Sequence, residues 1–311
     1  MNDNLKGLLY AVADNDLQKA KSYCKAILST ETAQCNKYIV NNIFAKLNTS
    51  SMNMLELPHN VKGLLMVEDV PNTFNEARYV LSNADSEVVD KILNIWHVND
   101  KLLEYGIRYL NSTLLYGESG CGKTMLGRYI AYKIGLPFAY LNFSRIVASY
   151  LGETGRNIAM AFDYIKTIRC VFMMDEIDAI GLIRGTETIS EMSRVVINLM
   201  QCLDRLDTGT IVIGATNRED TLDTALKRRF SLQHKMNLPS KEIRRTIAEK
   251  YISTIPNAIY KCQDFEEFAI STEGMSHAKI TTIIIDRIVE CLTKNEPVSL
   301  RERGKLLANK I

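Results

Sequence analysis

The chain has 311 residues, 46% of them apolar and 24% charged, the proportions of a globular protein with room for two or three compact units. Lys and Arg number 38 against 36 Asp and Glu, a net charge of +2, which weighs against a broadly basic nucleic-acid surface. Seven cysteines with no C-x-x-C pair fit free thiols in a reducing compartment, and four scattered histidines form no His-Glu-x-x-His zinc protease motif. No apolar window is long enough to cross a bilayer and no basic-then-apolar leader opens the sequence, so the expected location is cytoplasmic, without a membrane partner.

Residues 1–50 predict a small helical domain suited to binding a partner or substrate. Leu5, Leu8, Leu9 and Val12 share one helical face, followed by Leu17, Ala20, Tyr23, Cys24, Ile27 and Leu28, and then by Tyr38, Ile39, Ile43 and Leu47. Helix breakers around Asn48–Asn53 and Pro58 mark residues 51–83 as a linker, with a short extended piece near 64–71. A helix over Glu87–Tyr105 then carries Trp96 as a packing anchor.

A short apolar strand, Thr113–Tyr116, runs into Gly117-x-x-x-x-Gly122-Lys123-Thr124, and a helix over Met125–Ile134 follows at once. This is the pattern of a phosphate cradle. Backbone N–H groups must approach an anion closely, so Gly117, Gly120 and Gly122 leave the main chain bare around Glu118, Ser119 and Cys121. The helix start adds unpaired amides and the positive end of its dipole; Lys123 adds a point charge, and the Thr124 hydroxyl is a ligand for magnesium.

Farther on, past a strand over Phe138–Leu141 and a helix near 157–168, four apolar residues from Val171 end in Asp175 and Glu176. That is a buried parallel strand carrying its acids at the C-terminal tip, where open α/β sheets place ligands. Asp175 is the candidate for holding magnesium, and Glu176 for polarising a water that attacks the terminal phosphate. A third strand from Ile211 ends at Asn217, whose amide suits the same water or phosphate. Beyond it lies the compact basic run Lys227-Arg228-Arg229, and from Pro239 onward helical patterns return over 246–252, 265–270 and 279–292.

Taken in order, these blocks resemble the AAA subgroup of the AAA+ ATPases over about residues 95–295. The Gly106–Thr124 segment fits the family pattern without a gap, Met174–Asp178 looks like its Walker B strand, and Gly214–Arg218 like its sensor 1. The resemblance implies an α/β fold: a parallel-sheet P-loop core over 84–238, flanked by the N-terminal helical domain and a helical lid over 239–311. It implies ATP and Mg2+ as ligands, and a homo-oligomeric ring, commonly a hexamer. Arg228 and, after it, Arg229 would reach a neighbouring subunit's nucleotide as arginine fingers. Tyr150, Leu151 and Gly152 would form the first pore loop, gripping a polypeptide through an aromatic face; Arg184–Glu187 is a weaker candidate for a second. Gly274–Ala278 looks like the family's lid turn, which would set His277 and Ala278 against adenine while Tyr105, Gly106 and Ile107 cover its other side. The implied function is ATP-driven remodelling or translocation of a protein substrate, with a separate subtilisin-like protease as a candidate partner on the likeness of residues 1–60. A nucleotide-dependent assembly switch that threads nothing is the alternative.

Overall fold

The computed structural model describes residues 3–13, 23, 24, 26, 27, 57, 58, 61–143, 146, 151–181, 188–206, 208–256, 258–302, 305 and 306. The chain divides into two units, Met1–Asn53 and Met54–Ile311. In the first, α1 (Asp3–Ala13) is a helix, and Tyr23, Cys24, Ala26 and Ile27 are helical. The other helical positions expected in residues 1–50, Leu17 and Tyr38 among them, lie outside the described residues.

The second unit alternates strands and helices: β1 (Leu65–Glu68), α2 (Val70–Thr73), α3 (Asn83–Glu104), β2 (Ser112–Tyr116), α4 (Lys123–Ile134), β3 (Phe138–Asn142), α5 (Leu151–Ile165), β4 (Val171–Asp175), α6 (Thr188–Asp204), β5 (Ile211–Thr216), α7 (Thr224–Lys227) and β6 (Leu232–Lys235). Three helices follow, α8 (Lys241–Ser253), α9 (Cys262–Ser271) and α10 (His277–Thr293), and then a two-residue pair, β7 (Arg301–Glu302) with β8 (Lys305–Leu306). Six strands form one sheet in the order β1-β3-β4-β5-β2-β6. Every pairing in it is parallel except β1 with β3.

The sheet is covered on both faces, as the continuous apolar runs require. Phe172 and Met174 of β4 belong to a core with Phe162 of α5 and Leu199 of α6, whereas Val171 and Met173 belong to another with Leu126 and Ile130 of α4 and Ile92 of α3. That two-residue alternation is the pleat itself. Each such fully buried side chain contributes about 1.5–3 kcal/mol. Among the described residues no helix is long and apolar enough to cross a membrane.

Two expectations are corrected here. Residues 51–83 are not merely a linker: β1 pairs with β3 from Leu65↔Leu141 to Glu68↔Phe138, so the sheet begins about twenty residues before the expected boundary at 84. The same segment packs Phe74 and Tyr79 against Tyr129 and Tyr132 of α4, with ring centroids 4.7–5.8 Å apart. The second correction concerns Tyr105, Gly106 and Ile107, which end α3. The Gly106 amide donates to the Leu103 carbonyl at 2.9 Å and the Ile107 amide to that of Leu102 at 2.8 Å, with Gly106 at φ 75. This is a Schellman stop. It precedes the N-terminal end of β2, roughly 16 Å of strand away from the cradle, and leaves Tyr105 and Ile107 exposed rather than over a base.

The last helices form a third core around Ile247, Phe265, Phe268, Ile280 and Ile284. The buried Arg244 ties it together, its Nε donating to the Ala269 carbonyl and its Nη1 to that of Pro239, both at 2.9 Å.

Candidate active site

Parallel pairing puts the C-terminal ends of β2, β4 and β5 along one edge of the sheet, and the functional side chains follow from that edge. A cleft of about 420 Å³ is lined there by Ser119, Gly120, Gly122, Lys123, Thr124, Met125, Asp175, Glu176, Asn217, Tyr251, His277, Ala278 and Thr281. Lys123, Thr124, Asp175, Glu176 and Asn217, far apart in the chain, thus share one wall.

The loop after β2 is shaped by close approaches. Gly117 has φ 143, and a Cβ on it would overlap the Met236 carbonyl oxygen; the Met236 amide donates to the Tyr116 carbonyl at 2.7 Å, binding β6 to the loop's start. The Cys121 side chain is buried among Leu115, Leu126 and Met236, and burial raises its thiol pKa. Such a thiol stays protonated and poorly nucleophilic.

Lys123 is bound by its own chain. Its Nζ donates to the carbonyls of Gly117 at 2.7 Å and Glu118 at 2.9 Å, and to Asn217 Oδ1 at 2.7 Å. Burial lowers its pKa. The Thr124 hydroxyl donates to Asp175 Oδ2 at 2.9 Å. Two hard oxygen donors side by side suit Mg2+, which takes few protein ligands and keeps waters and phosphate oxygens for the rest.

Glu176 follows β4 at φ 55, one of two non-glycine residues with positive φ among the described residues. Its amide donates to Asp175 Oδ1 at 2.9 Å, and its carbonyl accepts from Ala179 at 2.9 Å, holding the strained turn. Asn217 is set by its neighbour: the Thr216 hydroxyl donates to Asp178 Oδ1 at 2.8 Å and accepts from the Arg218 amide at 2.9 Å.

The last helices close the cleft. Ser276 caps α10, and the Ala278 amide donates to the Gly120 carbonyl at 3.1 Å, so an otherwise unpaired first-turn amide is spent on the cradle. The N-termini of α4 and α10 therefore both flank the cleft. Tyr251 and Thr281 were missed in the sequence; Thr281 follows His277 by four residues, one helical turn on the same face.

Arg228 and Arg229 are not in this cleft. With Arg108, Ser112, Asp204 and Arg205 they line a second one of about 940 Å³, beside the start of β2. Leu151 and Gly152 are the first residues of α5, while Tyr150 and Arg184–Glu187 lie outside the described residues.

Residues 113–239 match the ATPase family associated with various cellular activities, AAA. Among relatives, the chain is 33% identical to an uncharacterized AAA family ATPase of Sinorhizobium fredii over 53% of its own length and 50% of that protein's. It is 41% identical to the 26S proteasome subunit RPT4 of Saccharomyces cerevisiae, over 43% of this chain and 32% of that one. With the ATP-dependent zinc metalloprotease FtsH 1 of Sphaerobacter thermophilus it shares 31% identity over 70% of this chain and 34% of that protein. The chain thus spans half the length of the first and about a third of the other two. Residues 113–239, whose cradle, acidic strand and amide-bearing strand meet at one cleft, are thus a module of the AAA family of ATPases.

Proposed function

We propose that this protein hydrolyses ATP with Mg2+ as a subunit of a homo-oligomeric ring, a hexamer in its common form, and couples turnover to remodelling or translocation of a protein substrate. The observation that carries the hydrolytic reading is the convergence of Lys123, Thr124, Asp175, Glu176 and Asn217 in one cleft. Lys123 exchanges its loop carbonyls and Asn217 for β and γ phosphate oxygens, which frees the Asn217 amide to orient the γ-phosphate or the water. Glu176 accepts the proton of the attacking water as the bond from the γ-phosphorus to the ADP oxygen breaks. Thr124 and Asp175 would hold Mg2+, which neutralises charge developing on the phosphate oxygens.

The ring reading rests on a separation. Arg228 and Arg229 lie in another cleft of the same chain, a placement that suits donation to a neighbour's nucleotide. Protein as the substrate is supported by the relatives' names, a proteasome subunit and a metalloprotease; delivery to a separate subtilisin-like protease is the narrowest form of this reading. His277 and Ala278 serve the adenine side.

Glu176→Gln is the test: it should bind ATP as tightly as the parent and lose turnover, and undiminished hydrolysis would remove Glu176 from the mechanism. Tyr150→Ala should keep basal hydrolysis and stop substrate processing. A second reading, a nucleotide-dependent switch without threading, is favoured by the Ala278–Gly120 hydrogen bond, since nucleotide entering there disturbs the lid before any chemistry. Unchanged substrate processing in Tyr150→Ala would remove Tyr150 from the pore-loop role, whereas nucleotide-dependent assembly of the parent with no substrate processing selects the switch.

A further inference from the structure

Asp175 is held from more directions than a metal-binding carboxylate needs. Its Oδ1 accepts from the Glu176 amide at 2.9 Å, and its Oδ2 accepts from the Thr124 hydroxyl at 2.9 Å and from the Tyr140 phenol at 3.2 Å. Tyr140 comes from β3, two residues before Asn142, which stands opposite Asp175 in the register. Residues two apart on a strand share a face, so the pleat turns both side chains toward the carboxylate. The Asn142 amide donates to the phenol oxygen at 3.4 Å. With that oxygen accepting from Asn142, the phenol proton is directed at Asp175. Arg128, one turn along α4 from Thr124, is engaged by Glu68 through two bonds of 2.8 and 2.9 Å.

We propose that Tyr140 is a positioning residue: its phenol, oriented by Asn142, fixes the Asp175 carboxylate in the alignment with Thr124 that receives the Mg2+ of MgATP. This rests on the hydrolytic reading above. Tyr140 and Asn142 are absent from the cleft lining, so they act through Asp175 rather than on the nucleotide. Partners one step behind a metal ligand orient it and typically set metal affinity by about 10–100-fold. Tyr140→Phe removes one oxygen and keeps the ring that packs near Phe138, 6.4 Å away between centroids.

The test is made in the full-length Glu176→Gln chain, with Mn2+ as a paramagnetic probe titrated in the presence of ATP. A fluorescent ATP analogue in EDTA measures metal-free nucleotide binding separately. Tyr140→Phe should weaken Mn2+ binding about ten-fold while leaving metal-free nucleotide affinity unchanged. Asn142→Leu, which keeps the phenol without its orienting amide, should produce a smaller loss in the same direction, and it carries the test alone if Tyr140→Phe does not fold. Equal Mn2+ affinity in the variants and the parent overturns the proposal, as does an equal loss of metal-free and metal-dependent binding, which is the mark of general loosening. A parent that binds neither nucleotide nor Mn2+ overturns the hydrolytic reading itself.

Discussion

Arg229 closes a two-point ion pair on Asp204, Nε to Oδ1 at 2.9 Å and Nη2 to Oδ2 at 3.1 Å. Both side chains are substantially exposed, so the pair contributes at most about 1 kcal/mol to stability. Its effect is geometric. It fastens the turn after α7 to the end of α6, while Arg228, the C-cap of α7, makes no ion pair among the described residues. The neighbouring guanidinium groups are thereby given different tasks, one anchored and one available.

Arg228→Ala should therefore lower turnover about a thousand-fold, the scale of an arginine finger, with ATP affinity little changed. Asp204→Asn, which releases the anchor and keeps the finger, should cost only a few-fold. Steady-state hydrolysis and nucleotide binding separate the two. Mixing Arg228→Ala subunits with Glu176→Gln subunits should restore activity, because each supplies what the other lacks at a shared site. No recovery at any ratio would return Arg228 to an ordinary surface role.

Gly120→Ala probes the contact between cradle and lid. Gly120 has φ 80, and an added Cβ would stand 2.8 Å from Ser276 Oγ and 3.1 Å from the Ala278 Cβ. The substitution meets both backbone strain and the cap of α10, so it should destabilise by about 1 kcal/mol or more and weaken ATP binding. Ser276→Ala loses the cap, about 1 kcal/mol, without the collision, and should bind ATP better than Gly120→Ala. Calorimetric titration of both variants decides it; wild-type affinity in Gly120→Ala would mean that the lid does not rest on this loop.

The cradle was readable in the sequence because backbone approach to an anion forces glycine at fixed spacing and the flanking strand and helix are local. The tips of β4 and β5 were readable for a similar reason, four or more apolar residues ending in polar ones. Tyr105-Gly106-Ile107 suits a family pattern and a helix stop equally as a tripeptide, and Gly106 following the last periodic residue of α3 is the sequence signal for the stop. β6 is Leu-Gln-His-Lys, too polar to announce a strand; its partner β2 is more than a hundred residues earlier, and pairing supplies what composition lacks. The same holds for Asp204 with Arg229, 25 residues apart, and for Tyr140 with Asp175, 35 apart. Alternation places Tyr140 on a strand face but says nothing about which carboxylate waits there.

Glu176 occupies a left-handed conformation that most side chains avoid, at a cost on the order of 1–2 kcal/mol. Asn tolerates that region better. Glu176→Asn should thus abolish hydrolysis and still raise Tm, by about 2–4 °C if about 1 kcal/mol of strain is relieved. Thermal unfolding with and without ATP checks it. A lower Tm in the variant would show that the Glu side chain stabilises the turn it strains.

Asp85 joins the start of α3 to the end of the sheet. It accepts from the Ser82 hydroxyl at 2.6 Å in a capping box and meets His234 Nε2 at 2.7 Å. Burial pushes its pKa up, but the bonds from His234 and Ser82 outweigh that, and the carboxyl ends below its ordinary value. A group whose pKa is depressed by folding adds stability that is complete above its unfolded value, about 3.9, and vanishes as pH falls through the folded one. Asp85→Asn should accordingly lower Tm at pH 6–7, and the gap from wild type should narrow steadily as the pH is taken from about 5 toward 3. Thermal unfolding across that range is the measurement. A gap that stays constant down to pH 3 would assign the loss to the shape of the cap and not to the charge of Asp85.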